Sequence, residues 1–292
     1  MSRFTVLMRT KNNDWVIRQT LASLFSQSLK FDIRVIDSGS EDSTLDILNS
    51  YKIRPVKISP SSYIPGKVIN DALESINTEF IIMLNSDSVL LEEDSLKRLV
   101  QPLLDNKNCV ATVGRQLPRH DSELWVRRDY SNAFPGHSKL PDYIHLSFPL
   151  SAFRKSVWEK EKFYTASWGS EDSEWGKRIK EKSLGEILYV PEAITMHSHN
   201  YTLKQLYGRK FIEGEADFFI YQKRPSLLKM VQNIIIRSLR ESLYYLKNIN
   251  IFPIVKIPIR NIVYFWGEYQ GLRSARKRLK HGDDKVILKD YQ

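Results

Sequence analysis

The sequence predicts an α/β chain with a mostly parallel central sheet flanked by helices and a helical extension at its C-terminal end. Three observations carry this. Short apolar runs alternate with helix-like periodicity from Phe4 to Leu84, and polar turns rich in carboxylates follow those runs. After Tyr221 the composition becomes basic and broadly apolar at once.

The first run, Phe4-Thr5-Val6-Leu7-Met8, ends at Arg9-Thr10-Lys11-Asn12-Asn13, as a buried strand ends in its loop. Asp14 offers an N-cap for a helix with Ile17, Leu21, Leu24 and Phe25 on one face. Ile33-Arg34-Val35-Ile36 is a second strand, stopped by a turn rich in caps, Asp37-Ser38-Gly39-Ser40-Glu41-Asp42-Ser43-Thr44; a helix through Leu45 and Leu48 follows. Val56-Lys57-Ile58 is a third strand. A helix from about Lys67 to Ile76 precedes Phe80-Ile81-Ile82-Met83-Leu84, the most apolar strand. Strands separated by helices pair in parallel through right-handed crossovers. The loops after their C-terminal ends then gather at one edge, where Arg9, Asp37 and Asp87 are expected to converge.

From 110 to 149, prolines, glycine and aromatic residues interleave, which predicts a long irregular segment, a lid or an acceptor-binding surface. Core-like sequence resumes at Phe148. The helix after Glu171 carries Trp175 and Ile179, and Ile187-Leu188-Tyr189-Val190 is another strand. The expected domains are 1–222, catalytic, and 223–292, a basic amphipathic helical extension.

With 42% hydrophobic residues in 292, the chain has the means to bury a sizeable core, which excludes a disordered protein. Its single cysteine, Cys109, rules out an intramolecular disulfide and a cysteine-based zinc site; it reads as a small buried apolar residue in a reducing compartment. The N-terminus enters a strand without the pattern of a signal peptide, and no run reaches the roughly 18 apolar residues that span a bilayer. The net charge is +10, and nearly all of it lies between Ser226 and Lys280, where eleven basic residues face only Glu241 and Glu268. A nucleic-acid binder is excluded because this charge sits in one appendage with long apolar stretches and no recognised motif. Leu227, Leu228, Met230, Val231, Ile234, Ile235 and Ile236 form a helix that Leu243 and Leu246 extend, and prolines punctuate the apolar run from 251 to 259. Basic charge beside apolar surface suits an anionic membrane face. The plainer alternative is a cap packed on the catalytic domain or a surface on which two subunits could pair.

Asp87 follows five apolar residues at a strand end and offers a hard oxygen ligand suited to Mg²⁺ or Mn²⁺; a simple turn is the alternative. Glu171 and Asp172 open a helix after Ser170. They are candidates for a general base, or merely acids favoured in a first helical turn behind a serine cap. Trp168 and Trp175 beside them suit a sugar face. His197 and His199 are expected to point to opposite sides of an extended segment, so that one of the two completes a metal shell. Gly66-Lys67 opens a helix whose amides and lysine suit phosphate, with a solvated lysine as the alternative.

Taken in order, Arg9-Thr10-Lys11-Asn12, the segment from Val35 to Leu45, Pro65-Gly66-Lys67-Val68-Ile69-Asn70, Leu84-Asn85-Ser86-Asp87-Ser88, the segment from Trp168 to Asp172, and His197-Ser198-His199-Asn200-Tyr201 resemble family-2 glycosyltransferases of the GT-A fold. The resemblance is closest to the bacterial rhamnosyltransferase-like branch and covers about Phe4 to Gly214. It implies an inverting transfer from a nucleoside-diphosphate sugar, dTDP-rhamnose or a UDP-hexose, to a hydroxyl of a growing cell-surface glycan on a lipid-linked acceptor. The setting it implies is cytoplasmic, peripheral on the inner face of the membrane. Thr10 and Asp37 would contact base and ribose, with Arg9 and Trp168 also at the donor, and Lys67 would lie near its phosphates. Asp87 would hold the metal with His197 or His199, and Asp172, with Glu171 beside it, would be the base. The chain departs from the family where the usual Asp-x-Asp is Ser86-Asp87-Ser88, and where the loop before Gly66 lacks the common Asn/Gly-His. A domain that binds nucleotide or glycan without turnover is the other function this pattern allows.

Overall fold

The structure, a computed structural model, describes residues 2–137, 139–249 and 252–281. Its elements run β1 (Phe4–Thr10), α1 (Ile17–Phe25), β2 (Asp32–Asp37), α2 (Thr44–Ser50), β3 (Val56–Lys57), α3 (Pro65–Glu74), β4 (Phe80–Leu84), β5 (Val89–Leu90), α4 (Ser95–Asp105), β6 (Cys109–Leu117), α5 (Leu124–Ala133), β7 (Leu150–Arg154), α6 (Lys155–Lys160), α7 (Glu171–Glu181), β8 (Glu186–Met196), α8 (Leu203–Ile220), α9 (Leu227–Lys247) and α10 (Lys256–His281). By their contacts they fall into two units. The first holds the described residues up to 164 with 172–199; the second holds 165–171 with the described residues from 200 on.

In the first unit one sheet has the order β3-β2-β1-β4-β7-β6-β8-β5. Its early half is parallel, as expected, with β1 between β2 and β4. The later half is mixed: β7 runs antiparallel to both β4 and β6, while β8 is parallel to β6. The alternation of side chains explains why the central strands are apolar at every position. Val6, Met8, Ile82 and Leu84 face a core shared with Leu21 and Leu24 of α1 and Leu99 and Leu103 of α4. Leu7, Ile81 and Met83 face the opposite core, with Ile69 and Leu73 of α3 and Trp175 and Ile179 of α7. A strand covered on both sides has no solvent face, so its sequence runs apolar without a break. Each of these leucines, fully buried, is worth about 1.5–3 kcal/mol.

Several expectations need correction. Asp14 does not cap α1, whose cap position is Val16 with no side-chain bond. Its backbone N–H instead donates to Asp42 Oδ2 at 3.0 Å, joining the first two loops. Phe25 is exposed rather than on the buried face. The segment from 110 to 149 is not irregular throughout, because it carries most of β6 and all of α5. The strand hid because it is buried on both faces and holds Gly114 and Gln116, which break any alternation. The proline-punctuated run from 256 onward is the first turn of α10, where Pro258 lacks only a hydrogen bond the helix start does not make.

In the second unit α8 packs along α10. At Gly271 an added Cβ would sit 2.1 Å from the carbonyl oxygen of Phe211, so only glycine allows the two backbones to approach. The expected domains, 1–222 and 223–292, set α8 with the catalytic part, whereas contacts group it with α10. The fully buried Glu241 of α9 pairs with Arg237 and with Arg260 of α10, and Asn261 Nδ2 donates to it at 3.1 Å. Among the described residues no helix is long and apolar enough to cross a membrane.

Candidate active site

Strand register decides which loops meet. Thr10 pairs with Asp37 at the ends of β1 and β2, and Leu84 of β4 lies opposite Leu150 of β7. Leu117 of β6 lies opposite Met196 of β8. Residues 10–15, 37–44, 85–88, 118–122, 148 and 197–199 therefore gather at one edge of the sheet, as the parallel topology required.

Asp87 is buried in the loop after β4. The short β5 that follows runs antiparallel to β8, with Val89 opposite Met196, so the two chains continue side by side and bring 87 to 197–199. His199 Nε2 lies 3.1 Å from Asp87 Oδ2, and His197 Nε2 lies 3.6 Å from Oδ1. One donor atom from each of the three residues falls within 4.8 Å of the others. The expectation that the histidines point apart is corrected: side chains alternate with period two, so residues i and i+2 share a side, and both imidazoles meet the carboxylate. Their rings stand edge to face at 5.1 Å. Burial pushes the Asp87 carboxyl up, but the two imidazoles outweigh it and hold it at about 2. It is an anion at any physiological pH.

The ring of His197 is held from behind. Its Nδ1 lies 3.2 Å from Gln116 Oε1 and 3.2 Å from the Tyr130 hydroxyl. Gln116 Nε2 donates to Ser147 Oγ at 2.8 Å, which turns the amide oxygen toward the imidazole. These two contacts on Nδ1 fix the ring with its Nε2 toward Asp87. One carboxylate and two imidazoles, each offering one ligand atom to the same point, form a donor set that fits a divalent cation. The two histidines stand where Ser86-Asp87-Ser88 lacks a second carboxylate.

The other predicted residues sit as follows. Thr10 is buried, and its hydroxyl donates to Asn13 Oδ1 at 3.3 Å. Asp37 closes its own turn: Oδ1 accepts the N–H groups of Gly39 and Ser40 at 3.0 Å, and Oδ2 accepts the Ser40 hydroxyl. Arg9 Nη1 donates to the Tyr63 hydroxyl at 3.2 Å, and its guanidinium lies 5.8 Å from the centroid of the Phe148 ring. Lys67 is 54% exposed and pairs with Asp71 one turn on, at 2.5 Å. Its neighbour Gly66 has a packing role, since a Cβ there would meet the Tyr164 carbonyl at 2.0 Å. Asp172 Oδ2 accepts the Phe148 N–H at 3.2 Å and Oδ1 accepts the Ser173 N–H at 2.7 Å, which fixes the carboxylate at the same sheet edge as Asp87. Trp168 and Glu171 are both buried and belong to the second unit.

Gln116, Tyr130 and Ser147 were not foreseen; all three lie in the stretch read as irregular, and nothing in its pattern marks them. Asn13 was also missed, although its Oδ1 accepts the Ser86 hydroxyl at 2.7 Å and so ties the first loop to the residue before Asp87.

The sequence profile of Glycosyl transferase family 2 matches residues 5–161, more than half of the chain. The chain is 31% identical over 192 residues to the O-antigen chain rhamnosyltransferase WbaN of Salmonella anatum, covering 62% of this chain and 60% of that protein. It is 28% identical over 226 residues to the O-antigen chain rhamnosyltransferase RfbN of Salmonella typhimurium, covering 73% and 71%. Among solved structures it is similar to the mannosyltransferase PcManGT from Pyrobaculum calidifontis, in complex with GDP-Man and Mn²⁺. That match has a TM-score of 0.61 at 15% identity and covers 98% of this chain and 76% of that one. The likeness shows the fold, the GT-A nucleotide-diphospho-sugar transferase fold.

Proposed function

The chain belongs to glycosyl transferase family 2, and from that premise we propose that it is an inverting transferase. It moves a sugar from a nucleoside-diphosphate sugar, dTDP-rhamnose or a UDP-hexose, to a hydroxyl of a growing cell-surface glycan. The observation that carries this is the convergence of Asp87, His197 and His199 at the sheet edge to which Asp172 is also fixed. The chain spans 60% of the WbaN transferase it matches, and that relative, an O-antigen chain rhamnosyltransferase, supports a rhamnosyl donor.

Asp87, His197 and His199 would hold Mg²⁺ or Mn²⁺, the two nitrogen donors favouring Mn²⁺. When bound, the cation would supply positive charge against the departing diphosphate. Asp172 takes the proton of the acceptor hydroxyl as its oxygen attacks the anomeric carbon; the bond from that carbon to the diphosphate oxygen breaks, and its electron pair leaves with the nucleotide. Two backbone N–H groups keep Asp172 in one orientation while leaving lone pairs for that proton. Thr10 and Asp37 meet the ribose and base beside Arg9, and Lys67 reaches the phosphates by exchanging its exposed pairing with Asp71, which is worth at most about 1 kcal/mol. Trp168 and Glu171 take no step in this proposal.

The acceptor is lipid-linked and the enzyme works from the cytoplasmic side, peripheral on the inner membrane face. The outward side of α9 supports this. Leu228, Val231, Ile235, Leu239, Leu243 and Leu246 are all exposed at helical spacing, with Lys229, Arg240 and Lys247 along one edge of the stripe. The one acid of α9, Glu241, is turned inward and neutralised. A second subunit pairing on this face would bring like charges together, which favours anionic lipid over a homodimer.

Incubation with dTDP-rhamnose and with UDP-hexoses in Mn²⁺ tests the reaction. Release of free nucleoside diphosphate from one donor, stimulated by a glycan acceptor, is expected; no release from any donor contradicts it and favours binding without turnover.

A further inference from the structure

Arg119 lies in the loop after β6, and its backbone N–H donates to Ser198 Oγ at 2.9 Å; Ser198 is the residue between the two histidines. Ser122 Oγ holds the same hydroxyl at 2.6 Å, so this loop is tied to the metal-binding segment at two points. The guanidinium lies over the indole of Trp15, 4.9 Å from the ring centroid. Trp15 belongs to the loop that Asn13 ties to Ser86. The Arg119–Trp15 stack thus joins the two loops that flank Asp87.

The guanidinium lacks an anion. Its Nη1 is buried without a hydrogen-bond partner, and among the described residues Arg119 forms no ion pair. A buried guanidinium N–H with no acceptor is unfavourable, and an anionic ligand would complete it. Its place over the indole holds the guanidinium by a cation–π contact, and its N–H groups match the paired oxygens that phosphate offers. Trp15, at 52% exposure, is otherwise a large apolar group left in solvent beside the donor site. Its use as a platform accounts for it.

We propose that Arg119, held over Trp15, binds phosphate oxygens of the donor's diphosphate. The inference deepens the transferase reading and rests on it. The shared chemistry is phosphate, and the arms of the test separate a nucleoside diphosphate from a free phosphate or an acceptor phosphate.

The test is calorimetric titration of the full chain in Mn²⁺ with UDP and dTDP, with uridine and thymidine, and with inorganic phosphate, alongside tryptophan fluorescence. Arg119→Met should weaken the preferred diphosphate roughly 10- to 100-fold, the scale of a charged hydrogen bond, and leave the nucleoside unchanged. Arg119→Lys, which keeps the charge but loses the fork, should fall between. Trp15→Ala should cost roughly 3- to 10-fold, as loss of a cation–π platform does, and should remove a fluorescence change that the diphosphate causes in the wild type. Equal diphosphate affinity in wild type and Arg119→Met overturns the proposal while leaving the transferase reading intact. Loss for inorganic phosphate alone, with the nucleoside diphosphate unaffected, also overturns it. No binding of any diphosphate by the wild type overturns the donor reading and this one with it.

Discussion

Replacing Leu239 and Leu243 by serine tests whether α9 lies on lipid. Both side chains point outward, at 62% and 59% exposure, so their loss should leave the fold intact and the unfolding midpoint nearly unchanged. Full burial of a leucine is worth about 1.5–3 kcal/mol, and the portion still open to solvent corresponds to a little over half of that, about 1.2 kcal/mol each. The pair then contributes about 2.5 kcal/mol to insertion, or roughly 60-fold in partition. Co-sedimentation with vesicles rich in anionic lipid measures it. Salt should weaken wild-type binding as well, since Lys229, Arg240 and Lys247 each add about 1 kcal/mol near such a surface. A truncation after Lys223 would be a poorer perturbation, because it also strips α10 from α8. Unchanged partition of the double variant, or binding indifferent to vesicle charge, would refute the reasoning; a shift from dimer to monomer on substitution would point to self-association instead.

Three further expectations follow from single contacts. Asp172→Asn should lower transfer by roughly 10²- to 10⁴-fold, as loss of a general base does, while nucleotide affinity holds; unchanged turnover would remove Asp172 from the mechanism. Gln116→Leu removes the amide contact to His197 Nδ1 and should weaken Mn²⁺-dependent nucleotide binding roughly 10-fold, read by metal titration, with metal-free binding unaffected. Burial raises the Glu213 carboxyl, but Lys210 and Arg209 outweigh it and hold it at about 2, below the ordinary 4.5. A depressed carboxyl contributes stability that is complete above about 4.5 and lost as pH falls through about 2. Glu213→Gln should therefore flatten the acid limb of the thermal midpoint over that window; the side chain keeps 29% exposure, so the change is modest, and an unaltered acid limb would count against the pair.

The parallel half of the sheet was legible because β1 and β4 feed cores on both faces and so run apolar without interruption. The mixed half was legible only in part. Only residues 187–190 of β8 showed there as an apolar run; Gln116 and Ser151 are polar yet buried in β6 and β7, and Pro191 sits where the β6–β8 register shifts, which hid the rest. The helix α8 is buried by α10 on an arc that includes glycines at 208 and 214, which blurs its period. The helix α4 contains Pro102, which the sequence presents as a break. At the site, Asp87 and both histidines were visible as residue types at strand ends. A meeting of Asp87 with one histidine was expected; that both would reach it was not, because it depends on the two-residue β5 pairing with β8, too short for any pattern to mark. Arg119 stayed hidden because nothing local distinguishes a ligand-seeking arginine from a solvated one; only its missing partner does.

The account turns on a cation held by Asp87 and the two histidines against the donor's diphosphate. Calorimetric titration of the protein with dTDP, UDP and GDP, each with and without Mn²⁺, tests it most directly, with Asp87→Ala beside the wild type. One nucleotide should bind tightly only with Mn²⁺, dTDP pointing to a rhamnosyl donor, and Asp87→Ala should lose the metal-dependent part. Equal binding with and without the metal, or an Asp87→Ala variant that binds as the wild type does, would contradict it.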